Sequence, residues 1–175
     1  MTDWSPIVEQ HGPLVWQTAY RLLNHEADAA DCFQRVFLAA IQLDQKETIR
    51  HWPALLKKLA TARALDLLRS RYRYQTRLQP LKECGYVDPR LHDPSEHTIA
   101  GELAEELRHA LCELEPIAAE IFCLANLEGW SYDSIAQQWG MTSNHVGVLI
   151  SRTRAALRKK LHGYLPNTRT AGEIT

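Results

Sequence analysis

Side chains that could read DNA bases are spaced along residues 143–154. Apolar residues recur at helical spacing from Val146 to Leu161, so a helix here would bury one face and expose the other. Asn and Arg can bond base edges in bidentate geometry, Ser and His can contact bases or phosphates, and Val can touch a thymine methyl. The residues on the exposed face are Ser143, Asn144, His145, Val148, Ser151 and Arg152, and Arg154 is suited to a phosphate contact.

The charge of the chain is segregated along its length. Residues 46–82 carry ten basic and two acidic side chains, whereas residues 83–128 carry two basic and eleven acidic ones. The 175-residue chain therefore has a formal net charge of only −1. Clustered cations favour a polyanionic partner, because each neutralised phosphate releases condensed counterions. The alternative interpretation is that these charges are solvated helix faces.

The cysteines and histidines do not form a metal-binding pattern. The four cysteines are widely scattered without a CxxC pair, which argues against a disulfide framework and a zinc knuckle. Cys84, His92 and His97 are the nearest approach to a ligand set, but they have no obvious fourth donor. We therefore expect reduced thiols, no metal and no cofactor.

Composition places the chain among globular proteins. It is 45% hydrophobic and 23% charged, which excludes disordered and collagen-like classes. The longest apolar stretches, such as residues 146–150, are far too short to span a bilayer, and the N-terminus lacks a basic leader. We expect a cytoplasmic protein without membrane insertion.

The N-terminal half is predicted to form three helices. Apolar residues recur at helical spacing over 7–23, although Gly12 and Pro13 are expected to interrupt this helix early. A second amphipathic helix is expected over 27–43, and a third begins at Trp52, where the following proline is tolerated. The basic block lies on the other faces of the third helix.

Domain boundaries follow from the prolines and glycines. Residues 78–95 lack sustained periodicity and are predicted to be a flexible linker between a first domain, 1–77, and a second domain, 96–165, followed by a tail, 166–175. Domains of this size bury only about 60% of their surface on folding, so each is expected to be modestly stable alone.

The second domain contains a helix-turn-helix pattern. Ser131 is a plausible N-cap, Gly140 suits the left-handed residue after a helix, and Thr142 can cap the next helix. A short turn containing glycine is typical of helix-turn-helix units that bind DNA. A purely structural helical hairpin is the alternative.

Three motifs resemble those of bacterial sigma factors of the extracytoplasmic-function (ECF) group. Residues 28–37, DAADCFQRVF, resemble the D-A-E-D-x-x-Q-x-x-F signature of region two, and residues 59–69 resemble the promoter-facing helix that follows it. Residues 127–136, LEGWSYDSIA, resemble the entry to region four. The resemblance covers roughly residues 5–162, and it implies an all-α fold of two small helical domains joined by a linker.

The resemblance also implies partners and roles. Region two would bind core RNA polymerase and open the minus-ten element, and region four would read the minus-thirty-five element. An anti-sigma factor is a further partner known in the family, although the sequence does not identify one. The polymerase-binding residues would be Asp28, Asp31, Gln34 and Phe37. The residues facing the downstream element would be Lys46, Arg50, His51, Trp52, Lys57, Lys58, Arg63 and Arg69.

Some of these residues have structural alternatives. The two aspartates also suit capping of a helix, and Trp52 matches the apolar stripe of its helix better than a base-stacking platform. The sequence departs from the family at Ala62, where Asn is frequent, and at residues 147–149, where Lys-Ser-Arg is frequent. Gly147 also costs helix stability, by about 1 kcal/mol relative to Ala.

Two other functions are weighed against a sigma factor. A stand-alone dimeric helix-turn-helix regulator would bind a palindromic site without polymerase. A small helical hydrolase using His11, His25 and Asp28 is less favoured, because the sequence contains no HExxH, nucleophile elbow, P-loop or paired-carboxylate motif. We therefore expect a promoter-specificity subunit that is not an enzyme.

Overall fold

The computed structural model describes residues 2–82 and 99–164, and these ranges form helices without any strand. The all-α prediction is therefore confirmed. The helices are α1 (Trp4–Leu23), α2 (Glu26–Asp44), α3 (Trp52–Lys82), α4 (Ile99–Glu113), α5 (Pro116–Asn126), α6 (Tyr132–Trp139) and α7 (Ser143–Lys160). None of them combines the length and the apolar character that a membrane span requires.

Helix α1 is continuous, so the predicted interruption at Gly12 and Pro13 is wrong. The side chain of Asp3 caps its start, and Asn24, with a φ of 46°, ends it in the left-handed conformation. Proline inside a helix removes one backbone hydrogen bond and costs about 3 kcal/mol. The cost is offset because Gly12 is buried beside Phe33, and the helix buries apolar side chains on both sides of the proline.

The first three helices pack against one another as a bundle. Its core contains fully buried side chains from all three helices, including Leu23, Val36 and Leu56. Each fully buried aliphatic side chain contributes about 1.5–3 kcal/mol relative to its exposed state. The bundle holds the outward faces of α2 and α3 in a fixed relation.

The helix-turn-helix has a small core of its own. Ile121 and Leu124 of α5 pack with Ile135 of α6 and with Val146 and Ile150 of α7. This burial fixes α7 with its opposite face exposed, as the apolar periodicity of the sequence predicts.

The core of the first bundle continues into the second domain. Ala110, Leu111, Ala119, Cys123 and Leu157 belong to the same buried cluster as the residues of α1–α3. The second domain therefore packs against α3, mainly through α4 and α5. This shared core compensates for the small size of each domain.

The predicted linker falls mostly outside the described residues. Helix α3 continues to Lys82 and so includes residues 78–82, whereas residues 83–95 of the linker are not described. The tail, 166–175, also lies outside the described ranges. The flexibility of the linker and the exact domain boundaries stay predictions.

Candidate nucleic-acid interface

The helix-turn-helix is built by the three caps that the sequence predicts. Ser131 Oγ accepts a hydrogen bond from the backbone N–H of Ser134 at 3.1 Å, and Thr142 Oγ1 accepts one from the N–H of His145 at 3.2 Å. Gly140 follows α6 with a φ of 62°, in the left-handed region. These local interactions fix the turn between α6 and α7.

Helix α7 presents most of the predicted base-reading set to solvent. Val148 is 42% exposed, which is high for an apolar side chain. Ser143 is half-buried, and its hydroxyl donates a hydrogen bond to the carboxylate of Asp133. Arg154 is exposed and donates to Asn126 Oδ1 at 3.1 Å. The other exposed members of the set are Asn144, His145, Ser151 and Arg152.

Gly147 lies on the α6 side of this helix. A β-carbon built at position 147 would lie 3.6 Å from Cε2 of the Tyr132 ring, an ordinary van der Waals distance. Gly147, which stands where Lys is frequent in the family, therefore lies between the two helices of the motif.

The residues before α3 form an exposed basic and aromatic edge. Lys46, Arg50 and His51 are exposed, and the Nδ1 atom of His51 accepts a hydrogen bond from the N–H of Ala54 at 3.2 Å. Trp52 is half-buried and packs edge-to-face on Trp4, with ring centroids 5.1 Å apart. Trp52 therefore anchors the start of α3 within the bundle while keeping part of its ring accessible.

The remaining downstream residues differ in accessibility. The side chain of Arg63 is 47% exposed and lies 3.8 Å from Asp66. The side chain of Arg69 is only 16% exposed, and its Nη2 atom is buried without a hydrogen-bond partner among the described residues. Lys57 and Lys58 face the second domain, where they contact Glu128 and Trp139 respectively. The structure thus separates exposed cations from cations that the second domain covers.

The predicted polymerase-binding residues lie along α2. Asp31 forms a surface ion pair with Arg35 at 2.9 Å, and Gln34 is exposed. Asp28 pairs with Arg71 at 3.3 Å, which ties α2 to α3. Phe37 is only 7% exposed, because its ring packs on Phe33 with centroids 4.9 Å apart. Its predicted contact with polymerase stays a prediction.

Leu38 is an exposed apolar residue that the sequence reasoning missed. Its side chain is 59% exposed. Leu38 follows Arg35 by three residues and Gln34 by four residues, so the three side chains lie on the same face of α2. The sequence pattern could have predicted this exposure, because Leu38 lies outside the apolar stripe that contains Phe37 and Ile41.

The described cysteines are structural. Burial raises the pKa of the Cys32 and Cys123 thiols to about 12, and that of Cys112 to about 11. These thiols are therefore protonated at neutral pH and poor nucleophiles. Residues 2–82 and 99–164 contain no cluster of three potential metal ligands. Cys84, His92 and His97 lie outside these ranges.

Comparison with known proteins identifies the family of this chain. The sequence model for Sigma-70 region 2 matches residues 7–74, and that for Sigma-70, region 4, matches residues 104–157. The chain is also 32% identical over 166 residues to the ECF RNA polymerase sigma factor SigE of Mycolicibacterium smegmatis. The chain belongs to the ECF sigma factors. The alignment covers 92% of this chain, and the chain spans 62% of the length of that relative.

A solved sigma factor structure has the same fold. The sigma factor RpoE from Bartonella quintana, in complex with the anti-sigma factor NepR, matches with a TM-score of 0.54 and 19% identity. The match covers 93% of this chain and 98% of that one. Residues 7–74 and 104–157 are hereafter called sigma region two and sigma region four.

Proposed function

We propose that this chain is a promoter-specificity subunit that directs bacterial RNA polymerase to initiate transcription. It would bind core polymerase through the outward face of α2 and bind promoter DNA at two separate elements. The observation that carries this proposal is the presence of sigma region two and sigma region four, in that order, on one chain.

Recognition of the upstream element is assigned to α7. Asn144 and Arg152 are exposed on a capped helix, where both side chain types can bond base edges. Val148 adds an exposed apolar group suited to a thymine methyl. These features support major-groove docking of the second helix of the motif.

Binding of the downstream element is assigned to the edge where α3 begins. Strand separation exposes unstacked bases, which proteins hold by stacking on aromatic rings and by placing cations along the backbone. Lys46, Arg50 and His51 are exposed near the partly accessible ring of Trp52. Arg63 extends this exposed cationic surface along α3. Lys57, Lys58 and Arg69 belong to the same proposed set, but the second domain covers the two lysines and Arg69 is largely buried.

The proposal assigns no catalytic step to this chain. Polymerase would supply the nucleotide chemistry, and this subunit would contribute differential binding of promoter DNA and of its opened strand. Because DNA and polymerase occupy the bacterial cytoplasm, we place its function there. An anti-sigma factor is a proposed regulatory partner, supported by the fold match to a sigma factor in such a complex.

Reconstitution with bacterial core polymerase tests the proposed function. Core polymerase is incubated with the purified chain and fragmented genomic DNA, and the 5′ ends of the transcripts are sequenced. We expect starts downstream of an asymmetric two-part sequence that core polymerase alone does not use. Failure to form a complex with polymerase, together with tight binding of a symmetric operator, would instead identify a stand-alone regulator.

A further inference from the structure

Asn126, the last residue of α5, connects this helix to α7 through two hydrogen bonds. Its Nδ2 atom donates to the backbone carbonyl of Phe122 at 2.9 Å, one turn earlier in α5. Its Oδ1 atom accepts a hydrogen bond from Arg154 Nη2 at 3.1 Å. Asn126 and Arg154 are both exposed, so the contact lies on the surface of sigma region four. We call Phe122 O, Asn126 and Arg154 the Asn126 relay.

The two partners of the Asn126 amide fix its orientation. The NH2 group of an amide can only donate hydrogen bonds, and its oxygen can only accept them. If the amide were turned by half a rotation, its oxygen would face the Phe122 carbonyl and its NH2 group would face the Arg154 guanidinium. Both contacts would be repulsive, because the first joins two acceptors and the second joins two donors. The Phe122 carbonyl therefore directs Oδ1 toward Arg154.

Arg154 lies at the edge of the base-reading face of α7. Successive residues of a helix are rotated by about 100°, so Asn144, Val148 and Ser151 lie within about 60° of one another on this face. Arg154 lies about 60° beyond Ser151, on the side of Gly147 that faces α6. When such a helix enters the major groove, its central face meets base edges and its flanks meet the sugar–phosphate backbone. The position of Arg154 therefore suits a phosphate contact.

The neutral amide leaves the charge of Arg154 available. A carboxylate partner compensates a guanidinium charge, as Asp31 does for Arg35 on α2. An amide oxygen instead orients the guanidinium without adding a negative charge. The bond to Asn126 uses one of the five N–H donors of the guanidinium, so the others can bond phosphate oxygens. The relay thus combines a fixed orientation with a full positive charge.

We infer that Asn126 is a positioning residue that holds the Arg154 guanidinium in place to bind a DNA phosphate beside the upstream element. Phosphate contacts set the register and orientation of a recognition helix on the duplex without reading its sequence. Ordering a long side chain before binding removes part of the entropic cost of the complex. The inference deepens the proposed function, on which it rests for the docking of α7 on DNA.

Nitrogen-15 relaxation of the arginine Nε atoms tests the relay in the free chain, without polymerase or DNA. The order parameter from this measurement reports motion on the picosecond to nanosecond timescale. Arg158 is exposed about one turn later on α7 and serves as the internal reference. We expect a higher order parameter for Arg154 than for Arg158, and a decrease to the Arg158 value in Asn126→Ala. Equal order parameters for the two arginines in the unmodified chain would overturn the inference.

A double-mutant cycle tests whether Asn126 acts on DNA through Arg154. The complex of each variant with core polymerase is added to a fluorescent duplex promoter fragment found by the reconstitution, and anisotropy gives the affinity. We expect Asn126→Ala to weaken binding about two- to tenfold, the equivalent of ordering one flexible side chain. In the Arg154→Gln background, the same substitution should have no further effect. An equal loss in that background would mean a purely structural role for Asn126 and would overturn the inference.

The salt dependence of these titrations reports the phosphate contact itself. Each neutralised phosphate contributes about −0.9 to the slope of log affinity against log salt concentration. Arg154→Gln should therefore make the slope shallower by about one unit. Asn126→Ala should keep the original slope, because the charge of Arg154 remains. Unchanged affinity and slope in Arg154→Gln would exclude the phosphate contact and overturn the inference.

Two carboxylate variants test the need for a neutral partner. Asn126→Asp should weaken binding and make the slope shallower, because the new carboxylate competes with the phosphate for Arg154. Gln138→Glu makes the same amide-to-carboxylate change at an exposed site near the end of α6 and should cause a smaller loss. Equal losses in these two variants would attribute the effect to net charge and would contradict the inferred role of the neutral amide.

These measurements separate the inference from the proposed function. Absence of a complex between the chain and core polymerase would refute the proposed function. The double-mutant cycle is then repeated with the free chain and a duplex of random sequence, because phosphate contacts do not depend on base sequence. Absence of coupling between positions 126 and 154 in that titration, or of any binding, would overturn the inference as well.

Discussion

Gly147 of α7 faces the ring of Tyr132 at the start of α6, and a β-carbon at position 147 would lie 3.6 Å from Tyr132 Cε2. The site has room for a methyl group, and its backbone is helical. Because Gly in a helix interior costs more conformational entropy than Ala, we expect Gly147→Ala to stabilise the chain by about 0.5–1 kcal/mol. Urea unfolding followed by circular dichroism measures this change.

Gly140 provides the opposite control within the same motif. Its φ of 62° lies in the left-handed region, so a β-carbon there is strained although no neighbouring atom lies within 4 Å. We expect Gly140→Ala to destabilise the chain by about 1 kcal/mol. Destabilisation of similar size by both substitutions would contradict the assigned environments.

Phe37 and Leu38 are adjacent in sequence but differ in burial, so their substitution should have different consequences. Phe37 is 7% exposed and Leu38 is 59% exposed. We expect Phe37→Ala to cost about 3–5 kcal/mol of stability, as truncation of a buried aromatic ring does. Leu38→Ala should change stability by less than about 0.5 kcal/mol.

Polymerase affinity distinguishes the roles of these two residues. If Leu38 belongs to the docking face of α2, Leu38→Ala should weaken binding of core polymerase while the unfolding midpoint is unchanged. Fluorescence anisotropy of the labelled chain, titrated with core polymerase, measures this effect. Normal polymerase affinity in Leu38→Ala would remove the residue from the docking face.

The helix-turn-helix was predictable from sequence because it is specified locally. Ser131, Gly140 and Thr142 lie within a few residues of the groups that they cap, and the apolar spacing of α7 defines its buried face. The continuity of α1 was not predictable in this way. Gly12 is buried beside Phe33 of α2, and apolar side chains on both sides of Pro13 pack into the bundle, so tertiary packing offsets the local cost of the proline.

The covered state of Lys57 was also hidden from local reasoning. Its partner Glu128 lies 71 residues away in the sequence. Nothing in the helical pattern of α3 distinguishes a lysine that faces solvent from one that faces a distant carboxylate. The segregation of charge carried a relevant signal, since the basic block at 46–82 and the acidic block at 83–128 attract each other.

Glu105 should make the packing of the two sigma regions sensitive to acid. Burial alone would raise the pKa of its carboxyl, but the hydrogen bond from Tyr72 and the charges of Arg71 and Arg108 lower this pKa below its ordinary value of 4.5. A carboxyl with a depressed folded-state pKa stabilises the fold above its unfolded pKa. That contribution is lost as the pH falls through the folded-state pKa.

The variant Glu105→Gln isolates this contribution. We expect it to lower the urea midpoint near neutral pH and to approach the wild-type midpoint as the pH falls through the lowered pKa of the Glu105 carboxyl. Glu102→Gln, at an exposed site on the same helix, should lower the urea midpoint near neutral pH much less than Glu105→Gln does. A constant difference between Glu105→Gln and wild type across this range would show that the carboxylate charge is not the source of the effect.

Arg152 and Asp31 should affect two separable steps of initiation. Arg152 is exposed on α7. We expect Arg152→Ala to weaken the binding free energy for the upstream element by about 1–3 kcal/mol, the typical value of a bidentate base contact. Asp31 forms a surface ion pair with Arg35, whose loss should cost little stability. Asp31→Ala should therefore remain folded. Because Asp31 is proposed to lie on the docking face of α2, the variant should bind core polymerase more weakly.

Two measurements on both variants separate these effects. Transcription from templates with an intact or a scrambled upstream element reports promoter recognition, and anisotropy titration reports polymerase binding. We expect Arg152→Ala to lose the advantage of the intact element at normal polymerase affinity. Asp31→Ala should keep that advantage once polymerase is supplied in excess. Equal losses in both measurements for both variants would indicate misfolding and would refute the division of labour between α2 and α7.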